Sequence, residues 1–176
     1  MPHYEKKLDG KEIFRGRILR VEVDQVELEN GAVSRREVVR HPGGAAILPV
    51  DAEGNATLVR QFRYAFGREI LEIPAGKLEP GEDSKTAAVR ELEEECGLVA
   101  GEITDLGCIY PSVGYDDEVI YLYLARKLSA TEARPDDGEF VTMEKYPLEE
   151  LTGMAERGEI RDAKTVTAIL KTSRIL

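Results

Sequence analysis

The chain has 176 residues, 42% of them hydrophobic and 33% charged, with a formal net charge of −10. That length suffices for one domain with a real core, and the acidic balance excludes the basic footprint of a general nucleic-acid binder. No apolar run is long enough to span a bilayer, and the first residues lack the apolar core of a secretion signal. Two cysteines, Cys96 and Cys108, fit buried or half-buried thiols in a reducing cytoplasm better than a disulfide framework.

Taken in chain order, residues 12–40 read as strand-rich. Apolar positions alternate between Ile13 and Leu28, Asn30-Gly31 is a hairpin turn, and Val33 to Val39 runs back. Pro42-Gly43-Gly44 breaks this section from the next. Ala45 to Val50 is a continuous apolar run, suited to a strand buried on both faces. A turn at Asp51 to Asn55 leads to a second strand, Ala56 to Phe62. Pro74, Gly76, Pro80 and Gly81 predict mostly loop with short strands over residues 63–81. Asp83 or Ser84 caps a helix running from Lys85 to Glu95, with Ala87, Ala88 and Leu92 on its apolar stripe. Gly97 is placed to end it in the left-handed region. Strands follow near residues 103–110, 118–126 and 139–146, then helices near 147–157 and 163–172. The pattern is α/β, a mixed sheet with helices on its faces.

The predicted helix ends in four glutamates within five positions. A helix C-terminus prefers cations, and the Glu91/Glu95 pair at i,i+4 repels by roughly 0.2–0.5 kcal/mol. Stability alone does not explain carboxylates there. Glu91, Glu94 and Glu95 lie at about 0°, 300° and 40° around the helix, on one face. Carboxylate oxygens on one face suit Mg²⁺ or Mn²⁺, and such ions combine protein carboxylates with substrate phosphates. Bound cations also let an acidic protein accept an anionic substrate. Glu93 points elsewhere and reads as a surface charge. Arg90, four residues before Glu94, is placed to brace that carboxylate.

Gly76, Glu82, Arg90, Glu91, Leu92, Glu94, Glu95, Gly97 and Leu98 match, at every position, the signature of the Nudix hydrolases. The chain therefore resembles that family. The resemblance implies a Nudix-type α/β/α sandwich with a mixed sheet over residues 43–176 and hydrolysis of a nucleoside diphosphate linked to another moiety. It also implies that Glu91, Glu94, Glu95 and the carbonyl of Ala75 hold the metal, with Glu94 and Arg90 counted among the catalytic set.

The flanks resemble the ADP-ribose pyrophosphatase branch. Arg60 to Tyr64 and Leu71 to Gly76 carry that likeness, and it implies that Arg63 contacts substrate phosphates and that Glu72 lines the site. Arg36 and Glu37 align with residues that hold the adenosine end. Residues 109–118 resemble the branch's Ser-Pro-Gly loop, with Ser112 toward the substrate. Position 113 is Val where the branch usually has its marker proline, and the nearest proline is Pro111. The late acidic loop, residues 136–141, is where many members draw a general base. Glu139 is the first choice and Asp137 the second. Residues 1–42 are expected to form an N-terminal antiparallel β subdomain that makes a homodimer and helps complete the partner's site.

The resulting expectation is a Mg²⁺-dependent ADP-ribose hydrolase giving AMP and ribose 5-phosphate, cytoplasmic and without nucleic-acid or membrane partners. Two alternatives stand beside it. One changes the substrate to another nucleotide sugar, a dinucleotide or a damaged nucleoside triphosphate. The other is a non-catalytic module that binds ADP-ribose.

Overall fold

The computed structural model describes residues 3–134, Gly138 and residues 140–176. It divides into two compact units: Met1–Gly43 with Tyr110–Val119, and Gly44–Ile109 with Ile120–Leu176. No helix among the described residues is long and apolar enough to cross a membrane.

The first unit is an antiparallel sheet, β1 (Lys6–Arg15), β2 (Arg20–Glu27) and β3 (Val33–Arg40), in that order. The alternating stretch from Ile13 to Leu28 is interrupted by a tight turn, in which the Gly16 amide donates to the Leu19 carbonyl at 2.9 Å. A strand from Lys6 was not expected. Every residue of β1 is exposed, so no face of it is selected for apolar residues and no alternation marks it. Its structure comes from pairing with β2, from Lys6 opposite Glu27 to Arg15 opposite Arg20. The Asn30-Gly31 turn joins β2 to β3 as expected: Gly31 has φ +79°, and Asn30 Oδ1 accepts the Ala32 amide at 3.0 Å. Residues 110–119 join this unit through Val39, which donates to the Tyr115 carbonyl at 2.7 Å and accepts the Asp117 amide at 3.1 Å. Arg40 Nη1 reaches Asp117 Oδ2 at 3.0 Å.

The second unit contains β4 (Gly44–Pro49), β5 (Asn55–Arg63), β6 (Arg68–Glu72), β7 (Ala75–Lys77), α1 (Ser84–Cys96), β8 (Leu98–Ile109), β9 (Ile120–Ala130), β10 (Val141–Pro147), α2 (Leu148–Glu156) and α3 (Ala163–Thr172). One sheet has the order β7-β4-β9-β8 and is mixed, because β4 runs parallel to β9 and antiparallel to β7. A second, antiparallel sheet has the order β10-β5-β6. The apolar run in β4 is buried throughout. Successive side chains of a strand point to opposite faces. Ala45 and Ile47 accordingly pack with Ala87, Ala88 and Leu92 of α1, while Ala46 and Leu48 pack with Leu151, Ala168 and Ile169 of α2 and α3. Helices on both faces of the mixed sheet make the α/β/α sandwich.

Helix α1 is fixed at both ends. Asp83 is the N-cap, its carboxylate accepting the Thr86 amide at 3.0 Å. Gly97 closes the other end at φ 58°, and its amide donates to the Glu93 carbonyl at 2.9 Å. A side chain there would also place its Cβ 2.8 Å from the Thr131 carbonyl oxygen, so only glycine fits. Cys96 is buried, which pushes its thiol up to about 12, with the nearby Glu95 charge adding to the shift. Cys108, expected to be buried or half-buried, is exposed; both thiols are free of disulfides.

Candidate active site

The second unit brings together the carboxylates of α1, the loop before it and β7. Glu91 and Glu95 stand one turn apart and are both buried, while Glu94 is half-buried. Buried charges require partners and hydrogen bonds. Arg90 supplies several. Its Nη1 donates to Glu91 Oε1 at 2.7 Å and to Glu94 Oε2 at 2.9 Å, and its Nε to Glu82 Oε1 at 3.1 Å. Glu82 in turn accepts the Glu79 amide at 2.9 Å. Glu82 therefore holds the loop and orients Arg90. Hydrogen bonding to Arg90 keeps the Glu82 carboxyl below its usual range, and the same contact, with Glu91 and Glu94, raises the Arg90 guanidinium further. Arg90 acts on Glu94 as expected, and on Glu91 as well.

Strand β7 lies against the two buried carboxylates. The Ala75 amide donates to Glu95 Oε2 at 3.0 Å. At Gly76 a Cβ would sit 1.8 Å from Glu91 Oε1. The first glycine of the motif is thus a matter of close approach, since only hydrogen leaves room for the Glu91 carboxylate. Ala75 is itself registered opposite Ala46 of β4.

Beside these lies a chain of paired charges. Glu72, at the end of β6, is almost fully buried, and Arg63, at the end of β5, grips it with two nitrogens. Nε reaches Oε1 at 2.6 Å and Nη2 reaches Oε2 at 2.7 Å. Lys164 Nζ, in the first turn of α3, also donates to Glu72 Oε2 and lies 3.0 Å from Asp162 Oδ2. Burial works to raise the Glu72 carboxyl, but hydrogen bonds and charge from Arg63 and Lys164 outweigh it, so its pKa falls below the ordinary value. The Arg63 guanidinium is raised, first by its hydrogen bonds to Glu72 and in smaller measure by the charges of Asp162 and Glu95. Asp162 caps α3 by accepting the Thr165 amide at 3.0 Å, and the Thr165 hydroxyl accepts the Ile73 amide at 2.9 Å. The start of α3 is thereby tied to the segment between Glu72 and Ala75.

Lys164 and Asp162 are the functional candidates that reading the sequence missed. One signal was there: a lysine in the first turn of a helix opposes the helix dipole, as the terminal glutamates of α1 do at the other end.

Arg36, Glu37 and Ser112 belong to the first unit. Arg36 Nε donates to Glu5 Oε2 at 2.8 Å, Glu37 is exposed, and the Ser112 carbonyl accepts the Asp116 amide at 3.1 Å. Arg36 and Glu37 are adjacent on β3, so their side chains leave opposite faces of the sheet. Glu139 and Asp137 lie outside the described residues.

Among the described residues, no group of three or more His, Cys, Asp or Glu side chains forms a cation cage by itself. The residues still fit a hard divalent ion that substrate helps to hold. The donors are all oxygens, two buried carboxylates share a helix face, and Gly76 lets β7 pack directly against the Glu91 carboxylate. Mg²⁺-type sites use one or two carboxylates and take the rest from phosphates and water.

The NUDIX domain description matches residues 39–169, and that of the nucleoside diphosphate sugar hydrolase N-terminal domain matches residues 5–47. The chain belongs to the NUDIX family of hydrolases, which generally require a divalent metal. It is 44% identical to the ADP-ribose pyrophosphatase of Bacillus subtilis (strain 168), over 94% of this chain and 90% of that one. It is 42% identical, over the same shares of each chain, to the methanol dehydrogenase activator of Bacillus methanolicus. A solved structure titled as an ADP compounds hydrolase superposes with a TM-score of 0.85 at 24% identity, covering 98% of this chain and 94% of that one, and shows the same fold.

Proposed function

We propose that the protein is a Mg²⁺-dependent ADP-ribose pyrophosphatase that cleaves ADP-ribose to AMP and ribose 5-phosphate. The observation that carries this reading is the buried Glu91/Glu95 pair facing β7 at Gly76, with Arg63 held on Glu72 in the same unit. The name of the Bacillus subtilis relative supports the substrate. In the reaction, water adds to one phosphorus of the pyrophosphate, the bridging P–O bond breaks, and the second phosphate leaves.

Mg²⁺, or Mn²⁺ in its place, supplies charge neutralisation and a more acidic attacking water. Glu91, Glu95 and the Ala75 carbonyl would hold it with Glu94 as a helper, and Arg90 braces both Glu91 and Glu94. Arg63 has committed Nε and Nη2 to Glu72, which leaves Nη1 to donate to a phosphate oxygen. Glu139, or Asp137, takes the proton of the attacking water. Arg36, Glu37 and Ser112 are assigned to the rest of the substrate. The two free thiols support a reducing, cytoplasmic setting.

The test is a panel of nucleoside diphosphate derivatives incubated with protein and Mg²⁺, with products identified by mass spectrometry. ADP-ribose should be the preferred substrate and AMP a product. Preference for another nucleotide sugar, a dinucleotide or a triphosphate would overturn the substrate, and binding without any product would favour the non-catalytic module. The same assay on Glu139→Gln and Asp137→Asn shows which carboxylate serves as base.

We also propose a homodimer formed by the first unit. Strand β1 is an edge strand, exposed along all ten residues, and it carries Leu8, Ile13 and Phe14 in the open. An uncovered edge of that length with apolar side chains invites a partner strand. Sedimentation velocity at micromolar concentration should give twice the 19.6 kDa chain mass, and a monomer there would reject the assignment.

A further inference from the structure

The charges beside the site alternate in sign along one path: Asp162, Lys164, Glu72, Arg63. The two middle side chains are 10% and 4% exposed, whereas Arg63 at the end is 41% exposed. The buried members thus compensate one another, and the path ends in a cation that reaches solvent.

We propose that Lys164 is a positioning residue for the reaction: by sharing the buried Glu72 carboxylate, it keeps Arg63 available to substrate phosphate. The proposal rests on the ADP-ribose reading only for its choice of substrate. Arg63 and Glu72 alone would cancel. With Lys164 and Asp162 the four groups are again neutral, but the negative charge of Asp162 sits at the far end, capping α3. Without Lys164 the group carries net −1, and Glu72, still buried, has Arg63 as its one remaining cation among these four. Both changes weaken the field that an incoming diphosphate meets, and charge steering and phosphate contacts act mainly on binding. Lys164 makes no substrate contact in this scheme. Its effect passes through Glu72 and Arg63.

The experiment compares Lys164→Met, Lys164→Gln, Lys164→Arg and Thr165→Val in the full-length protein with Mg²⁺. The neutral variants should raise KM for ADP-ribose about tenfold with kcat within about threefold, and Lys164→Arg should keep KM within about threefold. Thr165→Val removes the hydroxyl that accepts the Ile73 amide and donates to Asp162 Oδ2 at 2.6 Å, while the Thr165 backbone amide still caps on Asp162 and no charge changes. It should lower the melting temperature while leaving KM within about twofold, which separates loss of anchoring from loss of field. Affinity for ADP in Mg²⁺, measured by calorimetry, should weaken in the neutral variants in parallel with KM. Unchanged KM and unchanged ADP affinity in a folded neutral variant would overturn the proposal, as would a rise in KM with Thr165→Val equal to that with Lys164→Met. If the wild type fails to cleave ADP-ribose, the substrate reading falls, and the ADP affinities still decide the role of Lys164.

Discussion

Glu95→Gln is expected to lower kcat by about 10³-fold, because it removes a negative charge from the position where cation and phosphate charge must be balanced. The substitution is nearly isosteric. Its amide oxygen can still accept the Ala75 amide that Glu95 Oε2 accepts at 3.0 Å. It also relieves an i,i+4 repulsion of roughly 0.2–0.5 kcal/mol beside Glu91. Stability should therefore hold or rise slightly while activity collapses, and a thermal melt run beside steady-state kinetics separates the two. Glu93→Gln is the control. Glu93 lies off the shared face, and its helix-ending role uses the backbone carbonyl that accepts the Gly97 amide. Its kcat should stay within about twofold of wild type. Near-normal turnover in Glu95→Gln would remove that carboxylate from the site.

The opposite behaviour of α1 and β1 shows what made parts of the fold readable. Helix α1 must bury Ala87, Ala88 and Leu92, begin on Asp83 and stop at a left-handed residue, so each requirement left its mark in the residue types. The β4 run was readable for a related reason: burial on both faces admits only apolar residues. Strand β1 buries nothing within its own unit, so its composition is free of constraint and looks like loop. The exposure of Cys108 on β8 was hidden in the same way, since a small thiol is tolerated on either face of a strand.

The site divides along similar lines. Gly76, Glu82, Arg90, Glu91 and Glu95 interact over a short span of chain, where spacing is a direct record of geometry. Lys164 meets Glu72 across 92 residues, so nothing in the local sequence of either announces the other. What remained visible was the misplaced charge in the first turn of α3. Neighbours in sequence are not always neighbours in space: strand pleating sends Arg36 and Glu37 to opposite faces of β3.

Gly76→Ala should separate the fold from the chemistry most sharply. The added Cβ would lie 1.8 Å from Glu91 Oε1 and 2.2 Å from its carboxyl carbon, far inside contact distance. Those atoms are the far end of a side chain, so Glu91 rather than the β7 backbone gives way. Moving it breaks the 2.7 Å bond from Arg90 and takes the carboxylate off the face it shares with Glu95. A misplacement of about 1 Å in such a constellation costs about 10²-fold in rate. The melting temperature should fall by only a few degrees, because the Ala46–Ala75 register and the packing of Leu92 on β4 do not involve Glu91. The mechanism predicts non-additivity as well. In a Glu91→Gln background the alanine displaces a side chain already stripped of its charge, so the double variant should be about as slow as Glu91→Gln alone. Additive losses in that cycle would mean that Gly76 acts by another route, through the course of β7 itself.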